Sequence, residues 1–212
     1  MTDRFDGWIA GVGTASGLRA VVGRWPRSPL GPFADVMVER ADGHRLLLAP
    51  SERVAGYVAA TYRFDEVRIV PVTVAVDGAW WRVDAGPLDL RFLVGGRTAL
   101  GVLLRTVPPS LATRAGWIRA AGPAARLALP GVRTHGTAGG GRREFYGALD
   151  LRRIAAAGVR WEGADQGALA PVDPPVRFGF GSTPAAPSLV RIVTLVRGAP
   201  PFRPPVHKRI RR

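Results

Sequence analysis

The residues from Gly131 to Gly147, GVRTHGTAGGGRREFYG, gather most of the side-chain types from which a site could be built. Gly139, Gly140 and Gly141 in a row let backbone N–H groups turn inward as an anion nest, and Arg133, Arg142 and Arg143 can fork onto carboxylate or phosphate oxygens. His135 can donate or accept a proton near neutral pH. If the second half of the stretch is a strand, Glu144 and Tyr146 lie on the opposite face from Arg143 and Phe145, where Glu144 could orient an arginine. The expected ligand is a small carboxylate or phosphate. The competing reading is a solvated loop whose arginines pair with acids elsewhere in the chain.

Two other function classes compete with a small-anion binder. A polyanion, nucleic acid first, could dock on the helical arginines Arg114 and Arg119, with Arg105, Arg126 and Trp117 nearby. A basic tail carrying Arg203, Lys208, Arg209, Arg211 and Arg212 would contribute by counterion release. An enzyme acting on an anionic substrate would use Glu144, His135 or Tyr146 as proton carrier, on residue type alone. Many chemistries are absent: there is no cysteine, the three histidines His44, His135 and His207 are scattered, and no G-x-S-x-G occurs, so neither a metal nor a cofactor is expected. GVGTASG, at Gly11 to Gly17, has glycines like a phosphate loop, but the run after it is short and closes at Gly23 and Trp25-Pro26, which fits two strands and a turn.

Charge is placed unevenly. The net +14 arises in two regions: residues 95–160 hold eleven Arg against Glu144 and Asp150, and the last sixteen residues hold six basic side chains and no acid. Lys208 is the single lysine, and the Arg, Ala, Gly and Pro enrichment is that of a GC-rich coding sequence, which discounts part of the arginine signal. No apolar stretch is long enough to span a bilayer and no signal-peptide pattern opens the chain, so a soluble cytoplasmic protein is expected. Oligomeric state is left open.

The elements that must position these residues follow from periodicity. FADVMVERADGHRLLLAP reads as a hairpin about Asp42-Gly43, with Ala34, Val36 and Val38 alternating against Asp35, Met37 and Glu39. Ser51 caps a short amphipathic helix near 51–62 whose apolar positions are Val54, Tyr57, Val58 and Tyr62. EVRIVPVTVAV, AWWRVDAG and LDLRFLVG read as strands about an Asp77-Gly78 turn, and residues 97–129 as two or three short helices broken at Pro108-Pro109 and Gly122-Pro123. RREFYGALDLRRI and GVRWEG follow as a strand pair, and PVRFGFGS and SLVRIVTLV as the last two strands. Trp80-Trp81, Phe178 and Phe180 could line a pocket, though alternating strand aromatics belong to cores. The expected architecture is α+β: a largely antiparallel, curved sheet or partial β-barrel built from hairpins, in one globular domain over 1–196, with a disordered proline-rich tail over 197–212.

GVRTHGTAGGGRREFYG and VRFGFGS resemble sequences of an uncharacterised high-GC actinobacterial-type family of unknown function, over most of the chain except its tail. That resemblance implies no activity. Length and hairpin pattern also invite comparison with the acetoacetate decarboxylase-like fold, by analogy alone. Its Schiff-base chemistry needs a buried lysine, a role that Lys208 in the tail cannot fill.

Overall fold

The computed structural model describes residues 2–128 (backbone only at 124–128), 133–137, 141–179 and 183–198. GVGTASG is a hairpin: β1 (Thr2–Thr14) and β2 (Arg19–Arg27) pair antiparallel, and Gly17 takes φ +85 in the turn. The Asp42-Gly43 turn joins β3 (Phe33–Glu39) to β4 (Arg45–Ala49) as expected. Ser51 caps α1 (Glu52–Ala59), accepting from the Val54 N–H at 3.3 Å.

Beyond α1 come β5 (Glu66–Ile69), β6 (Thr73–Asp77), β7 (Trp80–Ala85) and β8 (Leu88–Arg97). The helices α2 (Ala99–Thr106), α3 (Pro109–Ala112) and α4 (Ala115–Ala128) then occupy the 97–129 region. The remaining strands are β9 (His135–Thr137), β10 (Arg143–Trp161), β11 (Ala164–Asp165), β12 (Leu169–Ala170) and β13 (Ser188–Arg197).

These strands form one sheet in the order β5-β4-β3-β2-β1-β13-β10-β8-β7-β6. The strands at the two ends of that order, β5 and β6, are joined by residues 70–72 alone, a link that spans about 14 Å at most. The sheet must therefore curl until its ends approach. Its interior is a single apolar cluster in which Val12, Val36 and Leu46 of one half meet Val83, Leu90 and Phe92 of the other, all fully buried. Burying each such side chain contributes roughly 1.5–3 kcal/mol.

Four expectations need correction. EVRIVPVTVAV is two strands at opposite ends of the sheet order, because Pro71 cannot donate to a ladder and the chain turns there. β5 also pairs parallel with β4 across α1, so the sheet is mixed rather than wholly hairpin-built. RREFYGALDLRRI and GVRWEG are one strand of 19 residues, β10, bent at irregularities near Ala148–Asp150 and Arg152–Ala156. Of the final pair only SLVRIVTLV is a strand; residues 175–179 have no regular structure, and Phe180 lies outside the described residues. Trp81 and Phe178 are buried, whereas Trp80 is exposed beneath the Arg91 guanidinium, 4.2 Å from its ring. Among the described residues no helix is long and apolar enough to cross a membrane.

Candidate functional site

β10 pairs with β13 on one side and, at its start, with β9 on the other, so the second half of GVRTHGTAGGGRREFYG is a strand and its side chains alternate. Glu144 and Tyr146 are buried on one side, whereas Arg143 is exposed. Tyr62, delivered by the turn after α1, completes a hydrogen-bonded triad. Its Oη donates to Glu144 Oε2 at 3.1 Å and lies 2.6 Å from Tyr146 Oη, which itself donates to Glu144 Oε2 at 2.9 Å. Burial pushes the Glu144 carboxyl above the usual range against the pull of both phenols and of Arg142. The two phenols are held well above their ordinary value, by burial first and by Glu144 second, so both are neutral donors.

The three arginines of the stretch go to three different surroundings. Arg142 is 6% exposed, donates to the Tyr57 carbonyl and Thr61 Oγ1, and sits 4.9 Å from the Tyr57 ring. Arg143 faces water. Arg133 is exposed at the rim of a cavity and has neither an ion pair nor a hydrogen bond with any described residue. His135 stacks on Phe145 with ring centroids 6.3 Å apart, and Gly141 takes φ +74. Gly139 and Gly140 lie outside the described residues, so the anion nest expected there has no described geometry.

The cavity at Arg133 exists because helices cover the stretch of β10 that lies between its partners β9 and β8. α2 reaches that edge through Gly101, where a Cβ would collide with the Leu151 carbonyl, and Gly147 gives the same clearance to the Ala112 carbonyl. Between helices and sheet remains a space of about 130 Å³ lined by Leu100, Leu104 and Ile118 from the helices and by Val190 and Ile192 from β13. Arg133 is the one charged side chain on its walls among the described residues. Trp117, 39% exposed, shares the mouth. Ser188 also lines the space; its Oγ is buried and has no hydrogen-bond partner.

A second space of about 60 Å³ lies under α1, and Ile9 and Tyr146 line both. Its walls combine aromatic rings with aliphatic side chains such as Val21 and Met37, and Asp35 and Glu144 are the acids among them. Asp35 alternates with Ala34 and Val36 along β3; it is 3% exposed, because β3 is covered on one face by the interior cluster and on the other by the α1 layer. It accepts one hydrogen bond, from Trp25 Nε1 at 3.1 Å, and burial pushes its carboxyl up to about 7. Glu39, two pleats further along β3 on the same side, is fully buried.

Sequence reasoning missed Asp35, Tyr62, Ser188 and Thr194 as site residues. Tyr62 carried a signal, since it continues the apolar stripe of α1; Ser188 and Thr194 carried none. Of the helical candidates, Trp117 lines the larger cavity, and Arg105, Arg114 and Arg119 line neither space. Arg114 is exposed, and Arg119 is exposed 5.9 Å from the Phe145 ring. Arg203, Lys208, Arg209, Arg211 and Arg212 lie outside the described residues, and so does the side chain of Arg126. Among the described residues no group of His, Cys, Asp and Glu could hold a metal ion.

No family model and no curated protein matches the chain. Among solved structures the chain is similar to the acetoacetate decarboxylase of Legionella pneumophila subsp. pneumophila str. Philadelphia 1, with a TM-score of 0.42 and 7% identity over 92% of this chain and 84% of that one. A likeness at that level supports no statement about this chain's chemistry.

Proposed function

We propose that this protein binds a small amphipathic carboxylate in the cavity beneath α2, α3 and α4, with the ligand's apolar body inside and its anionic end at Arg133. The observation that carries this reading is the composition of the walls: mostly apolar side chains, with the rings of Trp117 and Tyr146 and a few hydroxyls, and, among the described residues, one guanidinium, which has no hydrogen-bond or ion-pair partner there. Cavities of about 150 Å³ with such walls stay dry and accept a benzene-sized guest, so a body of about six heavy atoms is the right size for this one. The buried Ser188 hydroxyl, which has no hydrogen-bond partner, offers such a guest one hydrogen bond. This reading narrows the anionic ligand expected from the sequence to one that is also apolar, and it needs Arg133 rather than Arg142, whose guanidinium is already engaged.

The test is calorimetric titration with benzoate and with benzamide, which share a ring and differ in charge. Benzoate should bind more tightly to the parent, and Arg133→Ala should weaken benzoate about tenfold, ~1.4 kcal/mol, while leaving benzamide unchanged. Equal affinity for the two compounds, or a benzoate affinity that ignores Arg133→Ala, contradicts the proposal. No observation among the described residues favours the polyanion alternative.

A further inference from the structure

We propose that the smaller cavity, under α1, is a binding site for a small methylated ammonium ion, with Asp35 as its counter-ion, Thr194 as a hydrogen-bond acceptor and the surrounding rings as its cage. The site is separate from the carboxylate cavity and does not depend on that reading.

The walls present Phe5, Trp25, Tyr57 and Tyr62 around two carboxyl groups. The two acids differ in how well they are satisfied. Glu144 receives both phenols of the triad and has the Arg142 charge nearby. Asp35 receives one indole N–H, although a carboxylate accepts up to about four hydrogen bonds. No cation pairs with it among the described residues. A buried carboxyl without a partner ion either holds a proton or waits for a cation.

A second and independent feature of the cavity points to a guest. Thr194 lies on β13 directly opposite Phe5 of β1 and Tyr146 of β10, is 4% exposed, and lines this space. Its Oγ1 has no hydrogen-bond partner. A hydroxyl buried without a partner costs ~1–3 kcal/mol, which an N–H of a bound ammonium would recover.

The chemistry of the walls chooses among cations. Calcium or magnesium needs about six oxygen ligands, which an aromatic lining cannot supply. A methylated ammonium is weakly hydrated and is attracted by ring faces, at ~2 kcal/mol or more once desolvated. Size narrows the class further: at about 60 Å³ the space holds roughly two to four heavy atoms by comparison with the benzene-sized cavity. Trimethylammonium, with one N–H and three methyl groups, meets these limits, with its N–H for Asp35 or Thr194 and its methyls for the rings.

The experiment is titration of the full chain with trimethylammonium chloride at pH 7.5, against potassium chloride at equal ionic strength and against 2-propanol, a neutral molecule with the same number of heavy atoms. Saturable millimolar binding is expected for trimethylammonium alone. Asp35→Asn retains an acceptor for the Trp25 indole and removes the counter-charge, and should weaken binding at least tenfold. Thr194→Val, close in shape, should weaken it several-fold, and Arg133→Ala should leave it unchanged. A response that potassium chloride or 2-propanol reproduces overturns the proposal, as does binding of equal strength to Asp35→Asn and the parent.

Discussion

Asp35 shows what alternation along a strand leaves undecided. Counting by two places it opposite Ala34 and Val36 in FADVMVE without saying whether its own face is wet; here α1 closes that face and leaves the carboxyl buried with a single donor. The consequence for stability has a definite sign. Between the ordinary value of 3.8 and about 7 the folded protein holds a proton that the unfolded chain has released. Stability from this group is complete below that window and is lost as pH rises through it, by on the order of 4 kcal/mol. Glu144, also raised by burial, acts in the same direction. Urea unfolding of Asp35→Asn should therefore show a much flatter loss between pH 4 and 8 than the parent, with the variant the more stable of the two at pH 8. Parallel curves would contradict this account. By contrast, the separation of Glu144 and Tyr146 from Arg143 was legible, because a residue's side of a strand follows from counting by two. Ser188 and Thr194 were not, since an unpartnered hydroxyl is defined by what surrounds it in space.

At the scale of elements, the carboxylate cavity depends on how closely α2, α3 and α4 approach β10, and glycines set that distance. Gly101 and Gly116 separate packing from helix propensity, being helical residues with opposite surroundings. A Cβ on Gly101 would strike the Leu151 carbonyl, whereas one on Gly116 meets nothing within 4 Å. Gly116→Ala should stabilise by about 0.5 kcal/mol through propensity alone, and Gly101→Ala should destabilise by about 2 kcal/mol despite the same gain. Thermal unfolding of the two variants checks the pair, and a shared sign would contradict the proposed approach of α2 to the sheet. The helical region was readable from Pro108-Pro109, and the hairpins from their Asp-Gly turns. The continuity of β10 was not, because Ala155-Ala156-Ala157-Gly158 has no strand signal and is held extended by β8 beside it. Nor was the division of β5 from β6, which reflects curling of the whole sheet.

Across the whole molecule, distant segments are tied by buried ion pairs that no local pattern announces. Glu39, fully buried, accepts from the Arg177 backbone N–H at 2.6 Å and its Nε at 2.8 Å, and lies 3.4 Å from Arg19 Nη2. Arg19 is 4% exposed and also donates to the Pro174 carbonyl, so one acid fastens residues 174–177 to β2 and β3. Glu39→Ala leaves the Arg19 charge buried beside no acid and should cost about 3 kcal/mol, against less than about 0.5 for Asp42→Ala at the exposed pair with Arg40. Chemical denaturation of both variants makes the comparison; a cost for Glu39→Ala below about 1 kcal/mol would refute it. With the interior of the curled sheet filled by packed side chains, the room for a guest lies outside it, under the helices. The most direct measurement of that claim is an isotope-filtered NOE experiment on the protein saturated with labelled benzoate. The account predicts ring contacts to the methyl groups of Leu104, Ile118 and Ile192, and none to Val67 or Val76 on exposed strands. Contacts confined to exposed strands, or no contacts at saturating benzoate, would contradict it.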